Sequence, residues 1–246
     1  MKPKVRVCFL PSEIDVEWLK PGSAVVIDLL RASTSVVCAL AHGARDVLPV
    51  ETPAKALELR GSIGRDGVLL CGERGGVTIE GFDLGNSPAE YGVEQVSGKT
   101  LVFCSSNGSG ALLAARDASR LAMAGLVNAH ATVDWLVAGS ADALLVCSGQ
   151  LGRFSAEDAA CAGYLAARLV ERDYAPGNDA CATALLLAER VGRDWLAFLN
   201  TTDHGRYLTG LGFGSDLEAA AALDTIPLVP EWNAMRLTCR REMVKV

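Results

Sequence analysis

An α/β fold is predicted for this 246-residue chain, in three layers (α/β/α) with a mixed, largely parallel sheet and a helix-rich C-terminal third. Three observations predict it. Over the first two thirds, short apolar runs rich in Val, Leu and Ile alternate with Ala- and Leu-rich stretches, and such alternation builds parallel pairing with helices on both sheet faces. Four of the apolar runs lead into polar segments, as strands do at a ligand-binding sheet edge. After about residue 156 the stretches read almost entirely as helix.

Taken in order, Val5 to Leu10, Ala24 to Asp28, Asp46 to Val50, Val68 to Cys71, Thr100 to Cys104 and Ala143 to Cys147 are expected strands, each short and apolar. Between them Ala32 to Ala41, Pro53 to Arg60, Gly110 to Asp117 and Asn128 to Ala138 carry the Ala and Leu of good helices. The last third is expected to add helices at Ala156 to Arg172, Asp179 to Val191, Asp194 to Leu199 and Asp216 to Leu223, with one strand at Ile226 to Val229. No low-complexity linker interrupts the chain, so residues 1–246 are expected to form a single domain, with a sub-boundary near 174–178 where Tyr-Ala-Pro-Gly-Asn breaks the pattern.

The composition excludes several classes. Half of the residues are hydrophobic, enough for a substantial core. A net charge of -6 without a Lys/Arg run argues against a nucleic-acid partner. The apolar runs are too short for a signal peptide or a membrane span. Eight cysteines, never closer in sequence than Cys147 and Cys161, offer neither a zinc pair nor a redox pair and read as packed thiols of a cytoplasmic protein. A homo-oligomer is left open.

The chemistry concentrates after the apolar runs. Gly72-Glu73-Arg74-Gly75-Gly76, continuing to Gly81-Phe82-Asp83-Leu84-Gly85-Asn86-Ser87-Pro88, combines acids for a metal, an arginine fork for an anion and glycines that let backbone N–H groups approach a ligand. A surface loop that needs turns is the plainer reading. Recurrence favours a site: Asp28-Leu29-Leu30-Arg31-Ala32-Ser33-Thr34-Ser35, Cys104-Ser105-Ser106-Asn107-Gly108 and Ser148 to Asp158 follow other predicted strands. Helix starts at Ser33 to Ser35, Ser87-Pro88-Ala89-Glu90 and Ser106 to Gly110 could hold an anion or serve only as caps. Magnesium needs few carboxylates, and five acids are on offer: Asp28, Glu73, Asp83, Glu157 and Asp158. Cys104 begins no Cys-x5-Arg loop, since position 110 is Gly, no Asp-x-Asp pair follows the early strand, and neither a P-loop nor a dinucleotide fingerprint is present. Of the three histidines, His42 and His130 read as packing or surface residues, and His204 remains a site candidate.

These segments, in order, resemble the 2-phosphosulfolactate phosphatase family: Asp28 to Thr34, Gly72-Glu73-Arg74, Gly81 to Pro88, Ser106-Asn107-Gly108, and Glu157-Asp158 with Cys161-Ala162-Gly163. The likeness thins to Asp203-His204-Gly205 and Gly214-Ser215-Asp216 thereafter, and serines flank Asn107-Gly108 where threonines are expected. The resemblance implies Mg2+-dependent hydrolysis of a small anionic phosphate ester, 2-phosphosulfolactate, on the way to coenzyme M. On that reading Asp28, Arg31, Glu73, Arg74, Asp83 and Asn107 are catalytic, and Glu73, Asp83, Glu157 and Asp158 are metal candidates. Ser33, Thr34, Asn86, Ser87, Ser105, Ser106, Gly108 and Arg153 bind substrate. A non-catalytic module that binds phosphorylated metabolites and regulates a partner is the alternative.

Overall fold

The computed structural model describes residues 2–20 and 22–239. Strands lie at Lys4–Cys8 (β1), Ser23–Ile27 (β2), Asp46–Pro49 (β3), Val68–Arg74 (β4), Val77–Thr78 (β5), Thr100–Cys104 (β6), Arg120–Ala124 (β7), Ala143–Cys147 (β8), Ala175–Pro176 (β9), Pro230–Asn233 (β10) and Arg236–Cys239 (β11). Helices lie at Val16–Leu19 (α1), Ala32–Ala41 (α2), Pro53–Ile63 (α3), Val93–Val96 (α4), Gly108–Ala114 (α5), Ala129–Ala138 (α6), Ala156–Glu171 (α7), Asp179–Val191 (α8), Trp195–Leu199 (α9), Asp203–Gly210 (α10) and Gly214–Ala221 (α11). The sheet runs β5-β4-β6-β3-β11-β10-β7-β2-β8-β1-β9. Two parallel blocks, β4-β6-β3 and β7-β2-β8-β1-β9, are joined by the antiparallel hairpin β10–β11.

Alternation along the strands makes the layers. Val25 and Ile27 of β2 enter one core cluster with Val133 and Leu136 of α6 and Leu165 and Leu169 of α7. Ala24 and Val26 face the other way, into a cluster with Val36 and Leu40 of α2 and Leu112 of α5. Because period-two side chains of a buried strand must be apolar on both faces, the runs read as continuously hydrophobic. An α/β fold with helices on both faces of a mixed, mostly parallel sheet is the result.

The sheet is strongly curled. In strand order β6 and β2 are five spacings apart, roughly 24 Å in a flat sheet at about 4.8 Å per strand. Yet a Cβ placed on Gly108, just after β6, would lie 2.7 Å from the Asp28 carboxylate, just after β2. The second core cluster explains the closure: β2, β3, β4, β6, β7, β8 and β11 all direct apolar side chains onto α2 and α5. The sheet curls about those two helices, and the carboxyl ends of β2, β4, β6 and β8 reach one cavity.

Several elements differ from the sequence reading. β7, Arg-Leu-Ala-Met-Ala, lacks β-branched residues and is a strand because it pairs with β2 over its whole length. The expected strand at Ile226 to Val229 is irregular, and pairing begins at Pro230. The hairpin β10–β11 turns through Ala234 and Met235 at φ of 48° and 68°, conformations that Asn-Gly would have advertised. α10, with two glycines in eight residues, carries no strong helical signal. The stretch 174–178 carries β9, an edge strand beside β1. No helix among the described residues is long and apolar enough to cross a membrane. Cys8, Cys38, Cys71, Cys104, Cys147, Cys161 and Cys181 are free thiols, all but Cys38 buried.

Candidate active site

A cavity of about 360 Å3 opens at the carboxyl edge of the sheet. Asp28, Leu30 and Arg31 reach it from the end of β2, Glu73 from the end of β4, Gly75 and Gly76 from the β4–β5 turn, and Asn86 from the loop beyond. Ser106 and Asn107 follow β6, Gln150 and Leu151 follow β8, and His204 and Tyr207 come from α10. All four polar segments singled out in the sequence therefore meet. They do so because parallel strands present their carboxyl ends to one edge and the curl closes that edge.

Asp28 is 4% exposed. Its Oδ1 accepts the Ala32 N–H at 3.2 Å. Burial raises its pKa to about 6, with the Glu73 charge adding to the rise while His204 and the Ala32 N–H oppose it. Gly108 is required beside it, since a Cβ there would meet Asp28 Oδ2 at 2.7 Å and the Ala32 methyl at 2.8 Å. Glu73 is held as firmly: Oε1 accepts the Ser106 N–H at 2.7 Å and Oε2 the Gly76 N–H at 2.9 Å.

Arg31 is enclosed. Its Nη1 donates to Asp216 Oδ2 at 2.9 Å and its Nη2 to the Gly76 carbonyl at 2.5 Å, and the Phe213 ring lies 4.4 Å from the guanidinium carbon. Both charged side chains are essentially buried, so the pair is screened little by solvent. The other Asp216 oxygen accepts the Ser87 hydroxyl at 2.6 Å. Asn86, adjacent, is buried and lines the cavity with an Oδ1 that has no hydrogen-bond partner.

Strand alternation sends Arg74 away from Glu73 and out of the cavity lining. Its guanidinium donates to the carbonyls of Glu73 and Glu51 and to Cys104 Sγ. Asp83 also lies outside that lining, accepting the Leu70 N–H at 2.8 Å and Arg60 Nη1 at 3.1 Å, which pins the loop to β4. Asp158, behind the cavity, accepts the N–H groups of Leu29 and Gly149 and the Ser148 hydroxyl. Burial, with the charges of Asp28 and Glu157, pushes its pKa well above the ordinary value. Glu157 is buried 3.5 Å from His204 Nδ1. Arg153 is exposed on the turn closed by its pairing with Gln150.

The helix starts are satisfied from within. Ser33 Oγ accepts the Asp28 N–H, the Thr34 hydroxyl donates to the Leu29 carbonyl, and Ala32 is bonded by Asp28. Glu90 accepts the N–H groups of Gly85 and Ser87. Ser105 and Ser109 bond each other, and the Ser106 N–H is engaged by Glu73. Asn107 Oδ1 accepts the Leu151 N–H at 2.9 Å, leaving its amide nitrogen for the cavity. Hydrogen bonds to neighbouring protein groups thus engage the hydroxyls of Ser33, Thr34, Ser87 and Ser105.

Sequence reasoning missed Asp216, Tyr207, Gln150 and Leu151. Tyr207 donates to the Gly75 carbonyl at 2.8 Å, closing α10 over the β4–β5 turn. The helical last third is thus a wall of the cavity through His204 and Tyr207, with Asp216 bonded to Arg31 behind it. Gln150 and Leu151 lie in the polar segment after β8 that the sequence did mark, and Asp216 in the fragment Gly214-Ser215-Asp216, whereas Tyr207 gave no signal.

Comparison with known proteins agrees with the geometry. The family model described as 2-phosphosulpholactate phosphatase matches residues 8–234. A Carboxydothermus hydrogenoformans protein named "Probable 2-phosphosulfolactate phosphatase" is 38% identical over 93% of this chain and 92% of its own length. Proteins of the same name from Thermotoga petrophila and Deinococcus radiodurans are 39% and 40% identical, each over 85% of this chain and 88% and 87% of their own. With the match spanning nearly the whole chain and every segment of the cavity's sheet edge, this chain belongs to the 2-phosphosulfolactate phosphatase family.

Proposed function

We propose that the chain is a magnesium-dependent phosphatase that hydrolyses the phosphate monoester of a 2-hydroxy acid, with 2-phosphosulfolactate, the substrate in its relatives' names, as the ester. Sulfolactate would then leave toward coenzyme M. Buried free thiols support a reducing, cytoplasmic setting.

One observation carries the reading: the cavity holds the carboxylates of Asp28 and Glu73 against a single guanidinium, Arg31, whose charge Asp216 already balances. A multiply charged phosphate ester would meet net negative charge there unless a cation entered with it. Among the described residues no three Asp, Glu, His or Cys side chains converge on one point, but Mg2+ commonly takes one or two carboxylates and fills its shell with water and phosphate oxygen. Asp28 and Glu73 fit that role, and the orphaned Asn86 Oδ1 adds a third hard oxygen. Bound there, the ion would neutralise phosphoryl charge and acidify a water.

The chain's own groups take the remaining tasks. Arg31 offers its unpaired N–H groups to a substrate oxygen, and Asn107 its amide nitrogen. A departing alkoxide needs a proton. His204 is the imidazole of the cavity lining, oriented by Glu157, and is assigned that transfer. Leu30, Leu151 and Tyr207 limit water access.

The test is phosphate release from a panel of phosphate esters, with 2-phosphosulfolactate among them, with magnesium and with excess EDTA. Magnesium-dependent release, strongest for the 2-hydroxy acid ester, is expected. Full turnover in EDTA at negligible metal content would overturn the metal assignment, and ester binding without turnover would establish the regulatory alternative.

A further inference from the structure

Arg31 supplies the cavity's guanidinium, and its direction is set by a residue outside the cavity lining. Asp216 lies in the first turn of α11, 185 positions later in the chain, and is 1% exposed. One of its oxygens takes Arg31 Nη1 at 2.9 Å, the other the Ser87 hydroxyl at 2.6 Å. Phe213, at the same helix end, stacks on the guanidinium. Three segments distant in sequence thus meet on one carboxylate: the start of α2, the loop that presents Asn86, and α11.

A buried arginine could be neutralised by any nearby acid. This geometry does more, because a carboxylate bonded on both oxygens cannot rotate, and the Gly76 carbonyl fixes the second Nη. The fork is left one orientation, with its remaining N–H groups free for a ligand. The charge consequence is equally specific: with Asp216 balancing it, Arg31 acts as an aimed pair of donors rather than as a source of net positive charge.

We infer that Asp216 is a positioning residue, which aims Arg31 at the substrate's anionic group and locks the Asn86–Ser87 loop to the same point. The inference rests on the phosphatase reading for its kinetic arm only. Its other arm is binding of inorganic phosphate, measured by calorimetry in the presence of magnesium.

The experiment compares Asp216→Asn, Arg31→Lys and the double variant. Asp216→Asn keeps the shape and one oxygen but loses the charge. It is expected to weaken phosphate binding about tenfold and kcat/KM about thirtyfold per folded molecule, while in the Arg31→Lys background the same change alters either quantity less than about threefold, because residues acting as a unit are non-additive. Equal factors in both backgrounds, or near-normal phosphate binding and kcat/KM in the single variant, would overturn the proposal and leave Asp216 a folding residue. If Asp216→Asn fails to fold, Phe213→Leu substitutes: it removes the stacking ring without touching a charge, and its loss must likewise vanish beside Arg31→Lys. Should wild type bind phosphate yet release none from any ester, the phosphatase reading fails alone, and the binding cycle still decides the role of Asp216.

Discussion

Asp28 is held out of water at the end of β2, and that burial raises its pKa to about 6 from the ordinary 3.8. The folded protein therefore binds this proton more tightly than the unfolded chain. The stabilisation is complete below about pH 3.8 and is lost as pH rises through about 6. Asp28→Asn cannot ionise, so its melting temperature should gain on wild type as pH rises from about 3.8 through about 6 and keep that gain above it, while turnover falls about a hundredfold or more. Calorimetry across that range checks it, and a pH-independent difference would mean that Asp28 does not titrate there. His204 makes a separate prediction. Without a proton donor, His204→Asn should lose about a hundredfold in turnover on alkyl phosphates but little on a nitrophenyl phosphate, whose leaving group needs no proton; equal losses on both would remove it from proton transfer. Asp83, expected from its motif among the metal acids, instead bonds Leu70 and Arg60. Asp83→Asn should lower stability by about 1 kcal/mol and leave turnover per folded molecule intact. Urea melts and assays on that variant read both quantities.

At the scale of elements, the β6–α5 junction shows why a loop and a helix must meet a strand end so closely. α5 begins at Gly108, and the helix can approach β2 only because no Cβ stands between it and Asp28 or Ala32. Gly108→Ala should cost about 1–3 kcal/mol, the scale of overpacking a close-packed site, and reduce turnover at least tenfold by displacing Asp28. Normal turnover with normal stability would show that the junction yields. The sequence signalled the segments around this junction through their Gly, Asn and Ser content. It did not signal α10 or the hairpin β10–β11, whose local propensities are weak and whose conformations depend on partners far along the chain. Tyr207 holding Gly75 and Arg236 holding Asp46 at 2.6 Å are two such long-range ties.

Across the whole molecule, the curl of the sheet makes one cavity from strands of two parallel blocks, and the cavity's charge makes its strongest demand on a ligand. If Asp28 and Glu73 hold Mg2+, saturating magnesium should stabilise the fold by about 2–3 kcal/mol at a hundredfold excess over its Kd. In a chain of this size that raises the melting temperature by about 5 °C or more. The shift should vanish in Glu73→Gln, and its persistence there would place the ion elsewhere.

The sequence alone determined the strand–helix alternation, the polar segments at strand ends and the acid-rich, glycine-bearing motifs, because each is written in local periodicity and turn chemistry. It also marked Asp28, Arg31, Glu73, Asn86, Ser106 and Asn107, which the cavity brings together. Only the tertiary structure decided which neighbour in a motif faces the cavity. Glu73 and Arg74 are adjacent and point apart, since a strand turns successive side chains to opposite sides. Asp83 and Asn86 share one loop, yet only Asn86 lines the cavity. Nor could spacing reveal that Asp216, on α11, is the partner of Arg31 at the N-cap of α2: a buried charge must find its counter-charge in space, and the curl of the sheet sets where that is.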